Sequence, residues 1–180
     1  MAEYRKIHLF DSPYSGLQES KNTRAGEEII VVDCGFAKVG LTTCYDLRFP
    51  ELYSILRDKG AEIFLVPSAF TYKTGKAHWE ILLKARAIEN QCYVVAAAQI
   101  GKHNEKRTSY GQTMIVDMWG EIKGVCPIHE PDNEAGDENE GCVCYAHFDR
   151  TSMEKIRNSM PVQKHKVVGR EIYWGATSKL

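Results

Sequence analysis

No stretch of this chain is apolar for long enough to cross a bilayer. Its opening residues, MAEYRKIHLF, lack the apolar core of a secretory signal. Charge of one sign is lacking too: the net charge is −1, with 26% of residues charged. Nothing in that balance suggests nucleic acid or an anionic membrane as a partner. Six cysteines lie at 34, 44, 92, 126, 142 and 144, and none forms a C-x-x-C pair. Reduced thiols are the expectation for such a chain, and with them a cytoplasmic or mitochondrial location. The acidic stretch 128–141 carries six carboxylates and no Lys or Arg, yet it lacks the D-x-[DN]-x-[DN]-G spacing of a calcium loop. It reads as a solvated loop.

What is present is a globular composition: 180 residues, 43% hydrophobic, enough for one domain with a substantial core. Residues 4–10 alternate as a strand, with Ile7 and Leu9 on one side and Lys6 and His8 on the other. Residues 11–24 read as a loop. Two β-branched runs, 28–33 and 39–43, flank Cys34-Gly-Phe-Ala37 as a hairpin. Residues 61–67 and 92–99 are almost continuously apolar, as in a sheet covered by other layers. Residues 68–76 form a loop after a strand end, where α/β sites collect. The clearest helix spans 77–90, with Ile81, Ala85 and Ile88 as its apolar stripe and Trp79, Leu82 and Leu83 around it. Residues 101–110 are a polar excursion, and 111–117 and 121–126 are strands joined by a turn that Asp117 caps. Residues 142–148 alternate as a strand, and 149–158 form a helix capped by Asp149 or Thr151. A zinc site on Cys142, Cys144 and His147 is disfavoured, since His147 falls on the opposite strand face.

The stretch 39–51, VGLTTCYDLRFPE, concentrates the chemistry. A β-branched run ends at Cys44, and Pro50 opens a helix that Gly60 closes. A strand-to-helix turn presents a nucleophile well. Backbone N–H groups there favour a thiolate and then an oxyanion. On position alone, Cys44 reads rather as a buried structural thiol. Arg48 and Glu51 are spaced to pair on the first helical turn. His78 offers a Cys-His dyad as in papain-like hydrolases, or a structural hydrogen bond. Arg86 offers a carboxylate anchor, or a buried structural charge.

Nine segments together resemble the nitrilase, or carbon–nitrogen hydrolase, superfamily in its Nit branch. They are YRKIHLF at 4–10, QES at 18–20, the elbow at 39–51, PSAF at 67–70, TGKAHWE at 74–80, ARAIENQC at 85–92, AAAQ at 96–99, SYG at 109–111 and DMWG at 117–120. The resemblance implies an α/β fold, part of an α-β-β-α four-layer sandwich. Residues 1–150 would be the hydrolase domain, and 151–180 its C-terminal helix and a tail that packs across a partner subunit. It implies a thiol amidase with no cofactor and no metal. Its substrate would be a small carboxylated amide such as deaminated glutathione. It also implies association as a homo-oligomer, or as a hetero-oligomer with a longer homologue.

Residue by residue, the resemblance assigns Cys44 as nucleophile, Lys6 as the cation for thiolate and oxyanion, and Glu19 as the supporting carboxylate. Tyr45 would supply an oxyanion N–H, and Ser68, Phe70 and Thr74 would line the pocket. His78 would then be structural, because the family does not use histidine as its base. The family also carries a general-base glutamate upstream of the lysine motif, where this chain opens. The expectation is therefore a chain that lacks the N-terminal strands and helices and that base. The alternative reading is a catalytically impaired homologue serving as a binding or regulatory subunit.

Overall fold

The computed structural model describes residues 2–13, 16–128 and 141–166. They divide into two compact units, Met1–Phe148 and Asp149–Leu180. In the first, β1 (Asp11–Ser12) and β2 (Leu17–Gln18) make a small hairpin, and β3 (Val31–Asp33) and β4 (Lys38–Leu41) a second one. Then follow α1 (Pro50–Asp58), β5 (Ile63–Leu65), α2 (Tyr72–Asn90), β6 (Tyr93–Ala96), a hairpin of β7 (Ile100–Asn104) and β8 (Arg107–Tyr110), and the pair β9 (Met114–Val116) and β10 (Ile122–Val125). Six strands form one mixed sheet in the order β10-β9-β6-β5-β4-β3, with β4, β5 and β6 parallel. The β4–α1–β5 and β5–α2–β6 crossovers explain why these three strands are parallel and short-looped.

The parity of the sheet is regular. Phe64, Val94, Ala96, Met114 and Val116 are buried in the cluster that Leu52, Tyr53, Leu56, Trp79 and Leu83 of the two helices complete. Their neighbours Val39, Leu41, Ile63, Leu65, Tyr93, Val95 and Ile115 point the other way, around a cavity of about 510 Å³. Both faces being apolar is why the strands read as continuous hydrophobic runs rather than alternating ones. Gly60 ends α1 at φ +94°, the left-handed geometry that favours glycine. Gly75 lets α2 meet β8, since a Cβ there would run into the Tyr110 side chain.

Several expectations are corrected. Residues 4–10 belong to no sheet; Lys6 O accepts Gly26 N–H at 2.8 Å and Phe10 O accepts Glu19 N–H at 3.2 Å, separate contacts rather than a ladder. Residues 142–148 likewise form no strand. Residues 11–24 and 101–110, read as irregular, hold the β1–β2 and β7–β8 hairpins. Polar two-sided hairpins carry no apolar alternation to betray them. Residues 68–76 are only partly loop, because α2 begins at Tyr72. The buried stripe of α2 is Trp79, Leu83, Arg86, Ala87 and Asn90, whereas Ile81 and Ile88 are 69% and 46% exposed. Cys126 and Cys142 are joined as a disulfide, against the expectation of reduced thiols throughout. The Asp117 cap holds: its Oδ1 accepts Trp119 N–H at 2.9 Å and Glu121 N–H at 3.0 Å.

The second unit contains α3 (Arg150–Ser159), whose N-cap Asp149 accepts Ser152 N–H at 2.9 Å, and the short α4 (Val162–His165). Most of the acidic stretch 128–141 and the end of the tail lie outside the described residues.

Candidate active site

The C-terminal ends of the three parallel strands are stitched together by backbone bonds. Thr42 N–H donates to Leu65 O at 3.1 Å, Cys44 N–H to Pro67 O at 2.9 Å and Ser68 N–H to Ala97 O at 2.8 Å. This edge of an α/β sheet is where ligands are usually met. Cys44 opens a 3₁₀ turn, Cys44–Arg48, between β4 and α1, and its φ of +50° is left-handed. A β-carbon in that region costs about 1–2 kcal/mol, and such strain collects at functional sites. The turn is over-determined from three sides. Asp46 reaches back to Thr43 N–H at 2.9 Å, and Thr42 Oγ1 bonds both Tyr53 OH and Leu65 O. Arg86, buried in α2, donates from Nε and Nη2 to Leu47 O at 3.1 and 2.9 Å.

Arg86 is therefore not free to anchor a ligand carboxylate. Its guanidinium also stacks 5.5 Å from the Tyr53 ring centre and pairs with Glu89 at 3.1 Å. Arg48 does not pair with Glu51 among the described residues. It lies over the rings of Phe70 and Tyr45, 5.3 and 5.9 Å from their centres, with Nη1 and Nη2 each 3.4 Å from His78 Nδ1. That contact engages the His78 ring, and no hydrogen bond joins His78 to Cys44 among the described residues.

Lys6 and Glu19 meet. Lys6 Nζ lies 2.6 Å from Glu19 Oε2, which also accepts Phe10 N–H at 2.7 Å. The lysine side chain is 10% exposed, so the cation is held on a carboxylate largely away from water. The segment bearing Lys6 is tied to the elbow by Asp46, whose side chain is fully buried. Asp46 accepts Tyr4 OH at 2.7 Å and His8 N–H at 3.0 Å, and lies 2.8 Å from His8 Nδ1. The His8 ring stacks on Phe49 at 3.6 Å, and Phe10 and Phe49 pack edge-on to Tyr45. The sequence reading missed Tyr4, His8 and Asp46. The available sign was a carboxylate two residues past the nucleophile, in a turn that has spare N–H groups.

The other candidates sit around this edge. Tyr45 follows Cys44 as second residue of the 3₁₀ turn, a position whose N–H has no intrahelical acceptor. Ser68 is buried, with Oγ donating to Val66 O at 3.2 Å. Phe70 packs 4.9 Å from Trp79, at the rim of the core. Thr74, on the first turn of α2, bonds Thr71 through Oγ1 at 2.9 Å. Among the described residues no three His, Cys, Asp or Glu side chains converge as metal ligands.

Burial, and next the hydrogen bond to the Asp46 carboxylate, push Tyr4 well above the ordinary tyrosine value of 10.0. Burial does the same to Tyr53. Groups raised on folding lend stability that is complete below the unfolded value and is lost as pH climbs through the folded one. Urea midpoints are therefore expected to hold at neutral pH and to fall above about pH 10. Tyr4→Phe, with no hydroxyl to ionise, should flatten part of that fall.

This edge thus brings together a mixed α/β sheet, a cysteine on a turn over the ends of its parallel strands, and a lysine–glutamate pair in a segment bonded to the same turn. Residues 1–158 match the carbon-nitrogen hydrolase family, and the chain belongs to that family. It is 48% identical over 169 residues to the nitrilase and fragile histidine triad fusion protein NitFhit of Caenorhabditis elegans, covering 92% of this chain and 36% of that protein. The crystal structure of C. elegans NitFhit superposes with a TM-score of 0.82 at 47% identity, covering 92% of this chain and 39% of that one. Deaminated glutathione amidase of Dictyostelium discoideum is 46% identical over 170 residues, 92% of this chain and 55% of that protein. An amidase from Nesterenkonia sp. AN1, its active-site cysteine carrying an acetamide moiety, matches at 28% identity and a TM-score of 0.62 over 72% of this chain and 47% of its own. The chain thus spans from about a third to just over half of the curated relatives' length.

Proposed function

We propose that this chain carries the nucleophile of an amidase that releases ammonia from a small carboxylated amide, deaminated glutathione being the first candidate. One observation supports this above the rest: Cys44 sits left-handed on the elbow, and the segment holding Lys6 is bonded to that same turn. In this reading the Cys44 thiolate attacks the amide carbon and forms a C–S bond. The Lys6 ammonium and the Tyr45 N–H hold the oxyanion. Its collapse breaks the C–N bond, and the departing nitrogen takes up a proton and leaves as ammonia. Water then cleaves the thioester, giving the carboxylic acid and the free thiol. Glu19 orients Lys6, while the proton acceptor is the glutamate that the family carries upstream of the lysine motif. Ser68, Phe70 and Thr74 line the acyl side, and no cofactor takes part. Association with further copies or with a longer homologue is part of the proposal; the exposed Ile81 and Ile88 on α2 support it.

The test uses the polypeptide as its source organism makes it. Incubation with deaminated glutathione should release ammonia, and rapid acid quenching should preserve an acyl group that peptide mass spectrometry maps to Cys44 and that hydroxylamine removes as the hydroxamate. Ammonia release with the acyl group elsewhere would reject Cys44 as nucleophile. No release from this or simpler ω-amides would favour the binding-subunit alternative.

A further inference from the structure

We infer that Asp46 is a positioning residue, a buried carboxylate that fixes Lys6 against Cys44 by binding the chain on both sides of Lys6 and the elbow at once. Each of its oxygens is doubly used. Oδ2 accepts Tyr4 OH at 2.7 Å and Thr43 N–H at 2.9 Å. Oδ1 accepts His8 N–H at 3.0 Å and faces His8 Nδ1 at 2.8 Å. With Asp46 ionised, that geometry assigns the His8 proton to Nδ1. A carboxylate so occupied is no base for the thiol. Its partners instead bracket Lys6, two residues to either side, and Asp46 itself follows Cys44 by two.

The arrangement answers a mechanical problem. Residues 4–10 belong to no sheet, so no ladder sets their register against the elbow. Their backbone–backbone bonds to other segments, Gly26 N–H to Lys6 O at 2.8 Å and Glu19 N–H to Phe10 O at 3.2 Å, do not reach the elbow. The Asp46 bonds supply the missing register, and stacking of His8 on Phe49 supports it. The charged and titratable groups that face Asp46 are Tyr4 and His8 from this segment and, more remotely, Tyr53 of α1.

The inference rests on the proposed roles of Cys44 and Lys6, and its test separates the two. Alkylation of Cys44 by iodoacetamide is followed across pH by peptide mass spectrometry, with exposed Cys34 as internal reference. Lys6→Met should shift the Cys44 profile to higher pH, slowing alkylation near neutral pH by about tenfold. Asp46→Asn should do the same, and should add nothing in a Lys6→Met background, because it acts through the lysine. A general loosening of the elbow would change the rate equally in both backgrounds, and that result overturns the inference. So does an Asp46→Asn profile that coincides with wild type while Lys6→Met is shifted. If Lys6→Met leaves the profile unchanged, the proposed role of Lys6 fails and the inference falls with it. Tyr4→Phe removes one donor but keeps the ring. It gives a smaller shift in the same direction, and decides the matter should Asp46→Asn not fold.

Discussion

Cys44→Ser is expected to abolish ammonia release from the complete protein, a fall in kcat of about 10⁴-fold or more, with the fold intact. The expectation of an intact fold is local. The Cys44 side chain is half-buried and makes no hydrogen bond among the described residues, and the turn is held by its backbone and by Asp46, Arg86 and Thr42. Serine keeps the Cβ, so the left-handed φ costs the same before and after. What it removes is the thiolate. A hydroxyl has no lysine-stabilised anion at neutral pH, and no thioester can form. Steady-state ammonia assays, set beside urea midpoints for both proteins, separate the two effects. Unchanged turnover in Cys44→Ser would end the thiol amidase reading. A collapse of stability would show the thiol to be a packing group.

The α/β class and the elbow were legible because each has a local signature. Apolar runs at 61–67 and 92–99 announce a sheet covered on at least one face. Pro50 and Gly60 bracket a helix, and Asp117 announces its turn. The family motifs then told which lysine and which glutamate to watch, and the two stand 2.6 Å apart. What was illegible depends on partners distant in sequence. Arg86 read either as a ligand anchor or as a structural charge, because nothing in a helix reveals that its guanidinium is spent on Leu47 O, 39 residues away. Ile81 and Ile88 looked buried because the apolar residues of 77–90 fit more than one stripe. The choice between stripes fell to Arg86 and Asn90, two polar residues that hydrophobic periodicity discounts. Tyr4 and His8 alternate like strand residues, but alternation says nothing of whether a neighbouring strand is there to pair. Asp46 was passed over for the same reason: its weight comes from donors 38 and 42 residues earlier in the chain.

Lys6→Met carries the second large effect, a fall in kcat of about 10²–10³-fold, the range for removing one preorganised oxyanion donor. Methionine keeps the unbranched stem that the site already encloses, so the lost quantity is the charge. That charge serves two moments in the proposed reaction, first beside the thiolate and then beside the tetrahedral oxyanion. It is worth more here than on a surface, because the lysine side chain is 10% exposed and pre-oriented by Glu19. KM should move far less than kcat, since a neutral amide carbonyl in the ground state asks little of a cation. Stability should drop only modestly. The Glu19 side chain is 28% exposed, and its Oε2 keeps the Phe10 N–H when the lysine is gone. Glu19→Gln supplies the contrast. It preserves an acceptor for both Lys6 and Phe10 while removing the counter-charge, so a loss well below that of Lys6→Met would mark Glu19 as the holder of the cation. A loss equal to or beyond it would instead place Glu19 in the proton transfers themselves.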